Sequence, residues 1–530
     1  LDIVFLDWVD FIFPNTFSAP SGENQLAFSY ATQGAWTFQV TGFDTENVFA
    51  FDISDPVDVV EIDPDSLLIE DTGTDYRLSF RDEVAAKQDY WTGADTAIQD
   101  LTASAIERDN PSSLRSVANR ADYILISPPA FWEQAEALAG YRAGQGLATI
   151  LVDPQDIYDE FGFGMADASA IQAFLAFAYE NWSPPAPAYV VLFGDGHYDP
   201  KNHFGNSPPS FIPPFLAMAD PWDGETAADN RYVSFSGVGS IPQMMLGRLP
   251  ASSVADAEAM VSKIIAYEQD SSEGDWSRQI LSAAGAADSG GNFPVFSENL
   301  IRDTLPTPYQ AEKVHFGVTH TDANQAAAAL KNGINQGKLI VNFIGHGYAK
   351  AWSAIANPNH FFIETTDIPG LGNQGKYPIF LAMTCSEGYF IDPGAPAFGE
   401  AIVRAENKGA VASWSPTGKG VASGHDYLNR GFFDAVFKNG ASVLGEAVMS
   451  GLSRLWFSGS SLDLIDTYIL LGDPALVINR EPAVVDDFYF TGEDMPLNVS
   501  PEKGVLKNDF GFTRGNPLTA ELETGVEHGH

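Results

Sequence analysis

The stretch KLIVNFIGHGYAKAWS (residues 338–353) begins with a short apolar run and places His346 directly after it, between two glycines. A second stretch, YPIFLAMTCSEGYF (residues 377–390), has the same organisation and places Cys385 after its apolar run. Runs of this length that are rich in β-branched and aromatic residues predict buried strands. Because the carboxyl ends of neighbouring parallel strands meet at one edge of a sheet, we expect His346 and Cys385 to lie close together.

Cys385 is the only cysteine of the chain, so it cannot form an intramolecular disulfide. A thiol becomes a strong nucleophile when a neighbouring imidazole accepts its proton. The pattern therefore predicts that Cys385 is a nucleophile and that His346 is its proton acceptor. The residues alone also allow a simpler interpretation, in which Cys385 is a small buried side chain and Gly-His-Gly is only a turn.

Residues 1–120 predict an N-terminal all-β sandwich, because short apolar stretches alternate with Pro, Gly and Asp. The predicted strands are LDWVDFIFP (6–14), QLAFSYA (25–31), WTFQVTGF (36–43), VFAFDIS (48–54), VDVVEI (57–62) and YRLSFRD (76–82). Asp63 and Asp65 lie in turn-like sequence, where aspartate serves as a turn former. No candidate catalytic cluster lies in this region.

From residue 121 onwards, apolar strand-like runs alternate with amphipathic helical stretches, which predicts parallel sheets covered by helices. We expect two three-layer α/β subdomains, one over residues 121–277 and one over residues 278–480. His346 and Cys385 both fall in the second. His197 follows a predicted strand of the first subdomain, and we interpret it as a loop residue.

The Gly-His-Gly followed by Trp352 and Ser353, and then by a strand that ends in Cys-x-x-Gly, resembles the gingipain-type cysteine peptidases of the caspase-like clan. Further similar segments are YVVLFGDGHYDPKN (189–202), MMLGRLPASSVADAEAMVSKIIAYE (244–268) and LLGDPAL (470–476). The resemblance covers roughly residues 120–480. It implies a caspase-like α/β fold and a cysteine endopeptidase that cleaves protein or peptide substrates through a thioester. Residues 1–120 resemble the prodomain-like β-domain that precedes the catalytic domain in many large members of the family, where it is a prodomain in some relatives and stays attached in others.

The resemblance further implies roles for single residues. The backbone N–H groups of Gly347 and Cys385 would stabilise the oxyanion, and Gly347 suits that place because a side chain would crowd the approaching carbonyl. Asp288 would be a third catalytic residue that orients the imidazole of His346. The family residue at that place is a glutamate, so the chain departs from the pattern there.

By the same resemblance, Ile344 and Met383 would line the pocket that receives the substrate side chain beside Cys385. Both are apolar, and the segment GGNFPVF (290–296) carries no acid, so we expect an uncharged rather than an arginine side chain there. Glu387 could supply a local negative charge, but we interpret it as a solvated loop acid.

The chain has 28 basic and 70 acidic residues and a net charge of −42, which disfavours nucleic acid as a partner. No cofactor is required for the predicted chemistry. Four acids in a Pro-rich loop (Asp220, Asp223, Glu225 and Asp229) could supply the oxygen ligands of a structural calcium ion, but their spacing matches no EF-hand, and we favour a long solvated loop. No apolar run is long enough to span a membrane.

Residues 481–530 resemble the first half of a cadherin-like or Ig-like repeat of the kind found in long surface proteins. They predict a truncated Ig-like β segment, an extracellular or cell-surface location in a bacterium or archaeon, and a longer parent protein. Two alternatives to a peptidase remain from the sequence. One is a non-catalytic surface scaffold or adhesion protein with a peptidase-like fold. The other is a sortase-like transpeptidase, which would share the thioester.

Overall fold

The computed structural model of the protein describes residues 16–98 and 111–478, with gaps at 238, 270–274 and 356–359, and a few isolated positions from 489 onwards. The strand predicted at 6–14 and nearly all of the predicted Ig-like segment, 481–530, lie outside the described residues. The contacts within the chain divide it into two compact units, Leu1–Asn110 and Pro111–His530. The finer domain boundaries stay predictions.

The first unit contains two antiparallel sheets. Its strands are β1 (Gln25–Tyr30), β2 (Gly34–Phe43), β3 (Val48–Asp52), β4 (Val60–Glu61), β5 (Leu68–Asp71), β6 (Tyr76–Val84) and β7 (Gln88–Ala94). One sheet has the order β1-β7-β3-β4 and the other β2-β6-β5. Buried side chains from both sheets, among them Phe38, Leu78 and Tyr90, form one core, as expected of a β-sandwich.

Two strands of this unit, β5 and β7, were not predicted from the sequence. The stretch QDYWTGA of β7 contains Gly and Ala and lacks alternation, so its propensity for a strand is weak. It forms a strand because it lies between β1 and β3 and pairs with both. Asp63 is a turn former, because its side chain accepts a hydrogen bond from the Asp65 N–H.

The second unit alternates strands and helices. Its strands are β8 (Tyr123–Ile126), β9 (Thr149–Val152), β10 (Tyr189–Phe193), β11 (Leu216–Asp220), β12 (Gly224–Ala227), β13 (Met245–Leu249), β14 (Gln279–Ala284), β15 (Gln310–His315), β16 (Ile340–Ile344), β17 (His346–Tyr348), β18 (Ala351–Ser353), β19 (Phe361–Glu364), β20 (Ile379–Met383), β21 (Ala412–Pro416) and β22 (Tyr468–Leu471). Its helices are α1 (Trp132–Gly144), α2 (Pro154–Phe161), α3 (Ala168–Asn181), α4 (Val254–Gln269), α5 (Phe293–Thr304), α6 (Ala323–Gln336), α7 (Phe398–Arg404), α8 (Ala422–Phe437), α9 (Leu444–Ser458) and α10 (Asp463–Thr467).

The two predicted subdomain sheets are joined into a single ten-stranded sheet, with the order β15-β14-β16-β20-β21-β22-β13-β10-β8-β9. The strand β22 joins them, because it pairs antiparallel with β21 and parallel with β13. The strands of the two halves therefore run in opposite directions. A short apolar run such as YILL predicts a buried strand but not its direction, which is why the sequence suggested two purely parallel sheets.

Helices cover both faces of the sheet. Alternate residues of β8 point to different cores: Leu125 packs in the cluster that contains Leu138 of α1, and Ile124 packs in the cluster that contains Ile171 of α3. This alternation is the period of a strand, and it gives the three layers that the sequence predicted. Within the described part of the chain, no helix has the length and apolar character needed to cross a membrane.

Candidate active site

The candidate site lies where three parallel strands end side by side. Ala284 at the end of β14 pairs with Ile344 at the end of β16, and Ile344 pairs with Met383 at the end of β20. His346 and Cys385 each follow this row by two residues, on adjacent strands. The register therefore places the histidine and the cysteine at corresponding positions along one edge of the sheet.

Asp288, which follows β14, reaches the imidazole of His346. The His346 Nε2–H donates a hydrogen bond to Asp288 Oδ2 over 2.9 Å. The other carboxylate oxygen accepts the Gly290 N–H over 2.7 Å, so the carboxylate is held by its own loop. The ring of Phe293 meets the imidazole edge-on, with 5.2 Å between ring centroids. The orientation of His346 is thus fixed by a charge-assisted hydrogen bond and an aromatic contact.

Cys385 is mostly buried, and its sulfur lies 3.9 Å from the carbonyl oxygen of Gly420. Burial raises the pKa of the Cys385 thiol, and the negative charges of Asp220 and Asp223 act in the same direction. The positive charge of Lys419 lowers the pKa of this thiol. The resting cysteine is therefore a thiol that needs a base to remove its proton, rather than a preformed thiolate.

A second histidine near Cys385 is unsuited to act as that base. His425 is buried, and its Nε2 lies against Gly420, where an added Cβ would be only 2.3 Å from this nitrogen. Burial lowers the pKa of His425 to about 3. Its ring packs edge-on against Tyr468, whose hydroxyl donates to the Ala382 carbonyl of β20 over 3.0 Å. His425 therefore supports the Cys385 strand as a neutral ring.

The backbone after Cys385 turns sharply. Ser386 has a φ of +55°, a left-handed conformation that a serine adopts at a cost of about 1–2 kcal/mol. The turn is held because the Ser386 N–H donates to the Gly418 carbonyl over 2.8 Å and the Tyr389 N–H donates to the Ser386 carbonyl over 3.0 Å. This turn ends the strand abruptly at the cysteine.

Gly347 follows His346 and packs against the Cys385 segment. A Cβ on Gly347 would lie 2.4 Å from Thr384 Oγ1 and 3.2 Å from the Cys385 carbonyl oxygen. Thr384 is fully buried and has little room to move. The structure thus gives a reason for glycine that differs from the expected one, because a side chain would crowd Thr384 rather than only the substrate.

We expect Gly347→Ala to lower kcat/KM by at least tenfold and the free energy of unfolding by about 1–3 kcal/mol, because the clash separates the two strand ends. Peptide cleavage and urea denaturation measure the two effects. Gly140→Ala is the matched control, because an added Cβ there has no neighbour within 4 Å inside α1. The control is expected to raise helix stability slightly. Equal values of kcat/KM and of the free energy of unfolding for Gly347→Ala and Gly140→Ala would contradict the proposed clash with Thr384.

Ile344 and Met383, which the resemblance placed in the substrate pocket, end the strands that lead to His346 and Cys385. Both side chains are almost completely buried, at 3% and 1% exposure, and pack in the main core of the second unit. Each points into the sheet's core because it is the last residue of a fully buried strand. Their role in the substrate pocket stays a prediction.

Glu387 is not the solvated loop acid that the sequence suggested. Its side chain is fully buried, and burial raises the pKa of this carboxyl from its usual 4.5 to about 8, while the neighbouring Ser415 hydroxyl opposes the shift. It packs beside Gly399, at the start of α7, where an added Cβ would be 3.2 Å from Glu387 Oε2. At neutral pH the group is a neutral carboxylic acid that fills space beside Gly399 and Ser415.

We expect Glu387→Gln to stabilise the protein increasingly as the pH rises from 4.5 to 8. Across this window the folded protein keeps the Glu387 proton and the unfolded chain releases it, so each pH unit costs the parent up to about 1.4 kcal/mol. Urea denaturation at pH 6, 7 and 8 avoids the isoelectric region near pH 4.3. The exposed acid Glu298 provides a control. The free energy of unfolding of Glu298→Gln is expected to differ from that of the parent by the same amount at each pH. If the free energy of unfolding of Glu387→Gln differed from that of the parent by the same amount at pH 6, 7 and 8, Glu387 would not be a buried neutral acid.

His197 lies in a loop of the second unit, but the four acids predicted to share a solvated loop do not: Asp220 ends β11, Glu225 lies in β12, and Asp229 begins a short 3-10 helix. His197 is a buried loop residue whose ring Nε2 contacts the Pro208 carbonyl over 2.7 Å. Of these four acids, Asp229 pairs with Arg248 and Asp223 pairs with Lys419. Asp220 accepts three backbone N–H groups. The described residues contain no group of three or more His, Cys, Asp or Glu side chains arranged to hold a metal ion.

Sequence reasoning missed the loop Gly418–Gly420, which lies directly beside Cys385. The segment Gly-Lys-Gly between β21 and α8 is a signal that could have been used. Two glycines mark a close backbone approach at the end of a strand in the same sheet.

The sequence over residues 116–479 matches Peptidase family C25. The chain belongs to peptidase family C25. It is therefore a gingipain-type cysteine peptidase, and the cysteine-type peptidase predicted from the sequence is confirmed.

Solved structures support the fold of this peptidase. The crystal structure of the Arg-specific cysteine proteinase gingipain R (RgpB) is 22% identical, with a TM-score of 0.56 and coverage of 71% of this chain and 83% of that one. The complex of RgpB pro- and mature domains from Porphyromonas gingivalis is also 22% identical, with a TM-score of 0.55 and coverage of 68% and 82%. A third structure, of a protease, is 18% identical, with a TM-score of 0.56 and coverage of 71% and 82%. No curated protein sequence matches the peptidase.

Proposed function

We propose that the peptidase is an endopeptidase in which Cys385 is the nucleophile, His346 is the general base and acid, and Asp288 orients His346. The observation that carries the proposal is the 2.9 Å hydrogen bond from His346 to Asp288. His346 follows β16, which pairs in register with β20, the strand that leads to Cys385. A base held by a third group beside a nucleophile is the arrangement that hydrolytic cysteine and serine enzymes share.

The hydrogen bond to Asp288 determines which nitrogen of His346 takes part in the chemistry. Because Nε2–H is directed to the carboxylate, Nδ1 is left with the lone pair that accepts the thiol proton. The sulfur of Cys385 then attacks the scissile carbonyl carbon, and the carbonyl π-electrons move to oxygen. The N–H groups of Gly347 and Cys385 are the proposed donors to this oxyanion.

When the tetrahedral intermediate collapses, the C–N bond breaks and His346 returns the proton to the leaving amine. The acyl group remains on Cys385 as a thioester. A water molecule, deprotonated by His346, then attacks the thioester carbonyl, and the thiolate leaves and is reprotonated. The buried, protonated resting thiol fits this sequence, because the proton moves to His346 only as the bond to sulfur is made.

We propose hydrolysis rather than transfer as the fate of the thioester. The mass of the products distinguishes them: hydrolysis adds one water to the acyl fragment, whereas a sortase-like transfer adds the amine, so the two products differ by the mass of the amine less that of water. The peptidase is incubated with a peptide substrate and about 10 mM glycinamide, and any transfer product is detected by mass spectrometry. A dominant glycinamide adduct would overturn the choice of hydrolysis.

Active-site labelling tests the roles of Cys385 and His346. Intact-mass spectrometry after brief treatment with iodoacetamide or a peptidyl acyloxymethyl ketone is expected to show one adduct on Cys385, formed much more slowly in His346→Ala. His203→Ala is the matched control, because His203 is an exposed loop histidine of the same unit. Equal labelling rates in all three proteins, before and after limited proteolysis of the N-terminal unit, would overturn the proposed roles.

The location and assembly of the peptidase are also part of the proposal. We propose that it acts outside the cell or at the cell surface, within a longer protein, because residues 481–530 resemble a surface repeat. We also propose that the N-terminal sandwich is a prodomain, as its place before the catalytic unit suggests. A separate test concerns the structural calcium ion considered for Asp220, Asp223, Glu225 and Asp229: the labelling of Cys385 is repeated with calcium and with EDTA.

A further inference from the structure

The loop Gly418–Gly420 and the hairpin β11–β12 form a rim beside Cys385. The Gly418 carbonyl accepts the Ser386 N–H over 2.8 Å, and the Gly420 carbonyl oxygen lies 3.9 Å from the Cys385 sulfur. Lys419 lies between these two contacts. The rim is therefore attached to the nucleophile on both sides of Lys419.

Asp220 fixes the hairpin to this loop. One of its carboxylate oxygens accepts the Lys419 N–H over 2.7 Å, and the other accepts the N–H groups of Trp222 and Asp223 over 2.7 and 3.1 Å. Asp220 is buried, so these hydrogen bonds are shielded from water. The tip of the hairpin consequently has a defined position next to the Gly-Lys-Gly loop.

The rim presents one ion pair to the solvent. Lys419 Nζ and Asp223 Oδ1 are 2.5 Å apart, and their side chains are 45% and 55% exposed. Asp223 raises the pKa of the Cys385 thiol and Lys419 lowers it, so both charges are within electrostatic reach of the sulfur. Apolar surface flanks the pair, because Trp222 and Val421 are 54% and 40% exposed.

We propose that the Lys419–Asp223 ion pair determines the charge preference for the substrate side chain bound next to Cys385, so that uncharged side chains are favoured. The inference rests on the proposed endopeptidase and names its substrate class. In the intact pair the two charges neutralise each other. A charged substrate side chain therefore finds no unpaired opposite charge to bind. An uncharged side chain loses nothing and contacts Trp222 and Val421.

Breaking the pair from either side is expected to change the preference in opposite directions. Lys419→Met leaves Asp223 unpaired beside Glu225 and favours a basic side chain. Asp223→Asn leaves the Lys419 ammonium unpaired and favours an acidic one. For each variant we compare kcat/KM for the peptide with the favoured charged side chain with kcat/KM for the neutral peptide. We expect this ratio to rise about tenfold, because one unpaired, partly screened charge attracts the opposite charge at short range.

The experiment uses four fluorogenic peptides that differ only in the residue before the scissile bond, which is Gln, norleucine, Lys or Glu. Ratios within one enzyme are compared, because a change at Lys419 also alters the reactivity of Cys385. Lys313→Met is the matched control: its pair with Glu298 spans 2.7 Å at 34% and 50% exposure, and Lys313 is not among the charges that act on Cys385. The control is expected to keep the parent ratios.

Two results would overturn the inference while leaving the proposed endopeptidase intact. One is cleavage with the same charge ratios, within twofold, in the parent and both rim variants. The other is a parent enzyme that prefers Lys or Glu over Gln by tenfold or more. If the parent cleaves none of the four peptides and Cys385 is not labelled, the proposed function itself fails, and the inference fails with it.

Discussion

Replacement of Asp288 by asparagine is expected to lower kcat of the peptidase about a thousandfold. The carboxylate accepts the His346 Nε2–H, and that hydrogen bond leaves Nδ1 free to take the thiol proton. An asparagine amide can donate to Nε2, which moves the imidazole proton to Nδ1 and blocks proton transfer from Cys385. Stopped-time assays with a fluorogenic peptide over pH 5–9 measure both the loss of kcat and the expected loss of its pH dependence.

The control for this variant is Asp303→Asn, which neutralises an acid of α5 that pairs with Arg302 and Arg430. It carries the same chemical change and is expected to leave kcat within twofold of the parent. Far-ultraviolet circular dichroism checks that both variants are folded. A decrease of less than tenfold for Asp288→Asn would mean that His346 is oriented by its other contacts, and the assignment of Asp288 would be withdrawn.

The substitution Arg142→Met is expected to lower the free energy of unfolding by about 3–5 kcal/mol, the largest loss of stability that we expect from a single change in this chain. The Arg142 guanidinium is fully buried and pairs with Glu268 over 2.8 Å and with Asp473 over 2.6 Å. It joins α1 and α4 to the residues that follow β22. Without it, two carboxylates remain buried with no positive partner.

Urea denaturation of the Arg142→Met variant measures this loss, with Arg454→Met as the control. Arg454 forms a pair of similar length with Asp434, 2.6 Å, but its side chain is 42% exposed. We expect the control to cost less than about 1 kcal/mol. The triple variant Arg142→Met, Glu268→Gln and Asp473→Asn is expected to recover part of the stability, because no unpaired charge remains. Similar losses for Arg142→Met and Arg454→Met would contradict the role of burial.

Local patterns predicted the elements that carry the candidate site. The strands before His346 and Cys385 were visible as short apolar runs, and both strands lie as expected, because such runs are stable only when buried on both faces. Asp288 was chosen by resemblance, and the structure brings its carboxylate to His346. For His346 and Cys385 the local signal was informative, because each comes two residues after a buried strand of one sheet, whereas the choice of Asp288 needed the resemblance.

Contacts between distant segments were beyond the sequence. Lys419 and Asp223 are 196 positions apart, and no local period relates them. Glu387 was misjudged because an acid after a strand is usually solvated, and only the packing of α7 against it removes it from water. The burial of Ile344 and Met383 was likewise not visible from the sequence, since a residue near the chemistry can still point into the core.

The position of β22 has a consequence for how the peptidase is made. This strand is the last of the ten in the chain, yet it lies between β21 and β13 in the middle of the sheet. As the protein emerges from the ribosome, the two halves of the sheet have no common strand until residues 468–471 have been synthesised. Contacts of such long sequence separation form late. The newly made enzyme therefore acquires its complete sheet only after nearly the whole catalytic unit has left the ribosome.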